Sequence, residues 1–154
     1  MIDLLTLFAL DLEEFTTTSD GCEVDEVTVT AGRPNAPMGQ DCTKIYVWAD
    51  QITDALQTAV QCMVKGRLTI VYEIHTCYEV VDTRDETAAE HAVSADCLYG
   101  LMNAVWCGLV AGKSDGSLMD LGSCEDIELG PLEIQPRSGG SVSAMGTVIV
   151  PLDC

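Results

Sequence analysis

The stretch that most constrains the fold is residues 67–112, where a long alternating segment passes directly into a long, mostly apolar one. Across residues 67–80, apolar side chains recur at every second position, which is the period of a β-strand. This strand would be more than twice the usual length of about 5–6 residues. An acidic turn at residues 82–87 precedes apolar residues at spacings of three and four, which predict a long α-helix ending near Gly112. We therefore expect one long strand and one long central helix.

The predicted helix is apolar on nearly all of its sides. One apolar seam consists of residues spaced three and four apart: Ala88, Ala92, Ala95, Tyr99, Met102, Trp106 and Leu109. Leu98, Leu101 and Val105 widen the apolar arc beyond that seam, and such a helix needs cover on two sides. The sheet supplies one cover, and we expect another element or another subunit to supply the other. The candidates for a subunit interface are Leu98, Leu101, Val105 and Trp106.

Shorter elements are predicted on either side of this pair. Before it come a helix (residues 2–15), a strand (24–29), a Pro/Gly loop (31–42) and a strand (43–50); after it come two strands (125–135 and 142–151). Residues 51–63 are ambiguous between a short helix and an irregular link. In a chain of 154 residues, this order predicts a single domain, residues 1–154, of the α+β class. We expect an antiparallel or mixed sheet with helices packed on one face.

Two polar loops that contain glycine are candidates for contacts with partners. One occupies residues 113–124 and includes Ser114, Asp115 and Gly116. The other is a flexible tip between the last two strands and includes Ser138, Gly139 and Gly140. Glycine with small polar residues favours loops over helices and strands, and we expect such loops to become ordered on a partner.

The charge balance excludes some classes of partner. The chain has 25 acidic and 7 basic residues, for a formal net charge of −18. Gripping nucleic acid requires clustered Lys and Arg, and docking on anionic lipid has the same requirement. The acidic excess serves solubility, or it forms a surface that repels a polyanion such as DNA as it passes.

The sequence indicates a protein made in the cytosol, without a membrane partner. The first residues lack the positive region and cleavage site of a secretory signal, and the longest apolar run, residues 97–112, is shorter than the roughly 20 residues that span a bilayer. Eight cysteines are present without a CxxC pair. Cysteines of cytosolic proteins are normally free, so we expect buried free thiols, with one or more disulfides as the alternative.

Catalytic signatures are missing from the sequence. It contains no glycine-rich nucleotide loop, no HExxH and no GxSxG, so we expect no enzyme activity, no catalytic residue, no cofactor and no metal. Two chemical alternatives stay open. His75 and Cys77 share a face of the long strand and could hold a metal together, and a Cys–His pair could act as a nucleophile. His91 is expected to pack or to cap the helix.

Several segments together carry a resemblance to a known family. A short N-terminal helix is followed by a loop ending in GQDC (residues 39–42) and the strand TKIYVWAD (43–50). The long strand LTIVYEIHTCYEVV (68–81) leads into an Asp-rich turn and an Ala-rich helix, and a glycine-tipped crossing at residues 138–140 feeds the last strand. This order resembles that of the tail-terminator, or tail-completion, proteins of long-tailed phages, especially phages of actinobacterial hosts.

The resemblance implies a structural function in the virion. Proteins of this family form a ring, usually a homohexamer, that caps the finished tail tube, ends its polymerisation and docks the head connector. The implied partners are further copies of the chain, the major tail-tube protein and the head-closure or connector protein, while DNA only passes through the lumen. The implied location is the tail or neck of the virion, after assembly in the host cytoplasm.

Other functions stay open on the residues alone. The chain could be another neck component, such as a head-closure or adaptor protein, or a tail-tube subunit. It could also be an unrelated oligomeric binding protein or a small enzyme. The oligomeric state separates the ring-forming functions from the last two.

Overall fold

A computed structural model describes residues 2–17, 22–35, 43–57, 64–77, 84–136 and 141–152. The elements, in chain order, are α1 (Ile2–Thr16), β1 (Glu26–Val29), β2 (Lys44–Gln57), β3 (Val64–Cys77), α2 (Arg84–Asp115), a single 3₁₀ turn (Leu118–Asp120), β4 (Glu128–Leu129), β5 (Glu133–Pro136) and β6 (Ser141–Pro151). The chain therefore belongs to the α+β class, as the sequence predicts.

The strands form one mixed sheet of six strands. Its order is β1-β2-β3-β6-β4, and β5 also pairs with β6. β1 runs parallel to β2, whereas the other pairs are antiparallel. In the centre of the sheet, Val47 lies opposite Tyr72 and Tyr72 lies opposite Gly146. β3 thus lies between β2 and β6 and is the central strand of the sheet.

The long elements are longer than expected at several ends. β2 continues to Gln57 through the ambiguous segment, and β3 begins at Val64; residues 78–80 lie outside the described part of the chain. Each of these strands has 14 residues, which is about 46 Å of extended chain, and the 32 residues of α2 span about 48 Å. The hairpin and the helix therefore match in length. In the described part of the chain, no helix is both long and apolar enough to cross a membrane.

One face of the sheet contributes to a single buried apolar cluster. The strand members that pair across the sheet are Ile45, Val47, Leu68, Ile70, Tyr72, Ile74, Ala144, Val148 and Val150. α1 adds Leu5, Phe8, Ala9 and Leu12, and α2 adds Leu98, Leu101, Val105 and Leu109. Both helices thus share this core with the sheet. That the helices pack on one face only stays a prediction.

The opposite face of β3 is buried as well, although its alternation predicts a half-polar surface. Thr69, Val71, Glu73 and His75 all lie on that face and are buried. Trp48, the strand neighbour of Val71, is buried beside them. The central strand is therefore covered on both sides, which alternation along a single strand does not reveal.

The two helices are joined by a close contact and a hydrogen bond. The ring of Phe15 lies against the backbone of Gly108 in α2, where any Cβ would overlap it. The carboxylate of Asp11 accepts a hydrogen bond of 2.6 Å from the backbone N–H of Met119. Burial raises the pKa of Asp11, and the neighbouring charges of Asp120 and Glu14 add to this effect, although the bond from Met119 opposes it. The bond ties α1 to the turn after α2.

That turn lies later in the sequence than expected. α2 passes through Gly112 and ends at Asp115, and Gly116 follows with a φ of 79°. This left-handed conformation favours glycine and is common just after a helix. Gly112 is therefore an internal helical residue, and the predicted helix end there is wrong.

A disulfide corrects the expectation of free thiols. Cys22, just before β1, is bonded to Cys97 in α2, with a Cα–Cα distance of 5.4 Å; such a distance is typical of disulfides. Cys124 is also a disulfide cysteine, whereas Cys107 is free and exposed. The Cys22–Cys97 bond joins positions 75 residues apart, so local spacing could not indicate it.

We expect loss of the Cys22–Cys97 bond to lower the free energy of unfolding by about 2–4 kcal/mol, because the bond closes a long loop in the unfolded chain. Urea unfolding of the double variant Cys22→Ser with Cys97→Ser measures the effect. Cys107→Ser, at the exposed free thiol, is the control and should leave stability unchanged. Reactive thiols at residues 22 and 97 in protein purified without reductant would contradict the bond.

We expect Gly108→Ala to destabilise the fold by up to about 2 kcal/mol. Alanine improves helix propensity by about 0.8–1.0 kcal/mol, but overlap with the Phe15 ring costs about 1–3 kcal/mol. Gly112→Ala is the matched control, because a Cβ there meets the nearest atom of Leu118 at an ordinary 3.4 Å. That variant should be as stable as the parent or more so in thermal unfolding. Equal gains from both variants would contradict the close contact.

Candidate assembly surface

α2 presents an apolar surface to solvent on the side away from the core. Tyr99, Trp106 and Val110 have exposed fractions of 53%, 38% and 46%. They are spaced by seven and four residues, which places them on one face of a helix. We call these three residues the outer stripe of α2. Cys107, with its exposed free thiol, is the immediate neighbour of Trp106.

The structure divides the predicted interface residues between the two sides of α2. Leu98, Leu101 and Val105 are almost completely buried, and with Leu109 they form the stripe that enters the core. They cannot contact another molecule in this conformation, so their assignment as interface residues is corrected. Trp106 is exposed, as an interface requires.

The seam identified from 3–4 spacing is not the stripe that enters the core. Its members Tyr99 and Trp106 are exposed. The buried stripe consists instead of aliphatic residues spaced by three, four and four: Leu98, Leu101, Val105 and Leu109. Spacing alone does not separate the two stripes, because both follow the period of an α-helix.

The predicted partner loops have different outcomes. Ser114 and Asp115 are the last residues of α2, and Gly116 follows as its left-handed terminating residue, so this segment is a helix end. The Asp115 carboxylate accepts a 2.8 Å hydrogen bond from the Ser117 N–H, and hydrogen bonds from Ser117 lower the pKa of Asp115. The other loop, with Ser138, Gly139 and Gly140, lies outside the described residues.

A cleft of about 470 Å³ lies beside the C-terminal end of α2. Its lining comes from the last turns of α2 and from the segment leading into β4: Val110, Lys113, Ser114, Ser123, Cys124, Glu125 and Leu129. Val110 belongs both to this lining and to the outer stripe, so the two features are continuous. Sequence reasoning missed this cleft, because segments separated by the turn at Gly116 form it together.

The cleft lining contains one cation, Lys113, and one carboxylate, Glu125, and no ion pair joins them. Three cations with described side chains have carboxylate partners in the chain: Arg33 pairs with Glu73, Lys44 with Glu26, and Arg67 with Glu128. Lys113 is the remaining cation among the described side chains, and it makes no ion pair there. Its ammonium group is therefore available to an anionic partner.

A buried polar group on the second face of β3 is the arrangement closest to a chemical site. The carboxylate of Glu73 receives Arg33, with Nη2 at 2.8 Å and Nε at 3.0 Å from Oε2. His75 Nε2 contacts Glu73 Oε1, and the Tyr46 ring lies edge-on to the imidazole at 5.4 Å. The Nδ1 atom of His75 is buried without a hydrogen-bond partner in the described structure.

This group neutralises a buried charge. The side chains of Cys77 and His91 are outside the described part, so the paired metal site of His75 and Cys77 is not tested. Among the described residues, no three His, Cys, Asp or Glu side chains are grouped to hold a metal. The guanidinium of Arg33 balances a carboxylate that burial would otherwise strongly destabilise.

The sequence was compared with models of known protein families and with curated protein sequences. Neither comparison finds a match.

We expect Arg33→Gln to destabilise the fold by about 1–3 kcal/mol, because it removes the charged donor from a buried carboxylate. Lys44→Gln is the control, since its ion pair spans 3.7 Å to the exposed carboxylate of Glu26 and contributes about 0–1 kcal/mol. Chemical denaturation at neutral pH measures both. Equal losses for the two variants would show that Arg33 does not stabilise the buried charge.

Proposed function

We propose that the chain is a structural subunit that assembles with copies of itself into a closed ring and serves as the terminator of a phage tail tube. The observation that carries this proposal is the outer stripe of α2, which leaves Tyr99, Trp106 and Val110 exposed on a highly charged protein. Exposed aromatic residues clustered on one helix face are typical of protein interfaces. Self-association would bury them.

The order of elements supports the tail-terminator assignment. The resemblance implies an N-terminal helix, a strand, a long strand, a long helix and a paired C-terminal element, and the chain has these elements in that order. In the proposed assembly, the ring caps the tail tube and contacts the tube protein on one side and the head connector on the other. It is a component of the tail or neck of the virion.

The charge of the chain also agrees with this role. Each copy carries a formal net charge of −18, so a ring of several copies has a strongly negative surface. DNA passing through the lumen would be repelled from the wall rather than held by it. Head-to-tail contacts that close on themselves generate such a ring.

We expect the purified protein to form a ring, most simply a hexamer, and Trp106→Glu to convert it to a folded monomer. The introduced carboxylate would have to be buried without a partner at the interface, whereas in the monomer it remains at the surface. Native mass spectrometry gives the number of subunits, circular dichroism reports the fold, and electron microscopy images the ring.

The control adds the same charge at a distant exposed position, Ala31→Glu, and should assemble as the parent does. A parent protein that stays monomeric at high micromolar concentration would refute the proposed function. Assembly of Trp106→Glu into the same ring would refute the role of the outer stripe.

A further inference from the structure

We infer that the cleft at the end of α2 receives helix α1 of a neighbouring copy, with Leu10 on its apolar lining and Glu13 and Glu14 facing Lys113. This inference rests on the proposed self-assembly and names the contact that would build it. The occupant is a second copy of this chain, and the argument is the match of apolar surface and charge between α1 and the cleft.

The cleft presents an apolar patch next to an unneutralised cation. Val110 and Leu129 supply aliphatic surface, and Lys113 makes no ion pair among the described side chains. Glu125 also lines the cleft, but no ion pair joins it to Lys113. Val110 and Lys113 are three residues apart in α2, so their side chains are neighbours at about 5–6 Å.

α1 presents the complementary pair. Leu10 is 56% exposed, the largest exposed fraction among the exposed large apolar side chains that the structure describes. Glu13 and Glu14 are exposed as well, and they lie three and four residues after Leu10, on the same side of the helix. In α1, an aliphatic side chain and a carboxylate are therefore three residues apart, as Val110 and Lys113 are in α2.

The other exposed aliphatic residues lack this combination. Ile134 in β5 is exposed beside Glu133, but successive residues of a strand point to opposite faces, so that carboxylate cannot accompany it. Val29 in β1 is exposed between two threonines. Among the described segments with an exposed aliphatic residue, α1 is the one that also presents carboxylates on the same face, as the apolar patch beside Lys113 requires.

The proposed contact joins two different surfaces of the chain. A contact between unlike surfaces is heterologous, and repeating it produces a ring when the rotation closes. The cleft is continuous with the outer stripe through Val110, so α1 of the neighbour would cover part of that stripe as well. Apolar burial would then supply most of the affinity, and the charges would orient the two copies.

Charge reversal tests the contact. Lys113→Glu places like charges together, as does Glu13→Lys, and each should weaken association about tenfold at low salt. Glu13→Lys is the sharper variant, because it reduces the net negative charge. General repulsion between copies therefore predicts tighter association, whereas the proposed contact predicts weaker association. The readout is the assembly midpoint by mass photometry or analytical ultracentrifugation, with circular dichroism to check the fold.

Restoration of the pair is the decisive measurement. The double variant, Glu13→Lys with Lys113→Glu, should regain association, and so should an equimolar mixture of the two single variants, because alternating copies then pair opposite charges at every contact. The matched controls are Lys44→Glu and Glu23→Lys, which change the net charge equally at other positions and should not show the reciprocal rescue.

The outcomes separate this inference from the proposed function. If the parent assembles and the single charge reversals leave its midpoint unchanged, the contact is wrong while the ring stands. If the single variants are weakened but the double variant is not rescued, Glu13 and Lys113 do not meet, and the inference is again overturned. A parent that is monomeric at every concentration overturns both.

Discussion

A sheet can cover only one side of a helix, and the organisation of this protein depends on that constraint. α2 inserts the stripe from Leu98 to Leu109 into the core that it shares with β3 and α1. Another side of α2 carries Tyr99, Trp106 and Val110, which the described chain leaves 38–53% exposed. A helix with one apolar stripe would be satisfied by the sheet alone. The second stripe is the physical reason for proposing a partner.

The charge of the chain limits how that partner can bind. With a formal net charge of −18, copies repel one another except where uncharged surface or a free cation meets the neighbour. Arg33, Lys44 and Arg67 are neutralised within the chain. Among the described residues, the outer stripe and the cleft with Lys113 are consequently the places where two acidic copies can approach at the lowest electrostatic cost.

Several contacts that hold the subunit together connect distant parts of the sequence. Arg33 reaches Glu73 across 40 positions, Cys22 reaches Cys97 across 75, and Asp11 reaches Met119 across 108. In its local sequence, each of these residues resembles an ordinary surface or core residue, and nothing there indicates the distant partner. Glu73 in particular occupies a polar position in the alternation of β3. Its burial is possible because Arg33, in the segment after β1, supplies the compensating positive charge.

The sequence by itself determined the class of the fold, the order of its elements, and the existence of a long strand and a long helix. Those features are encoded in periods of two and 3.6 residues, which are local properties of the chain. Only the tertiary structure decided which stripe of α2 faces the core, where α2 ends, and that both faces of β3 are buried. These choices depend on shape and charge contributed by segments far apart in the chain: Phe15 against Gly108, Arg33 against Glu73, and a cleft assembled across the turn at Gly116. Local periodicity carries no information about such pairings, because it is the same whichever apolar stripe the rest of the molecule covers.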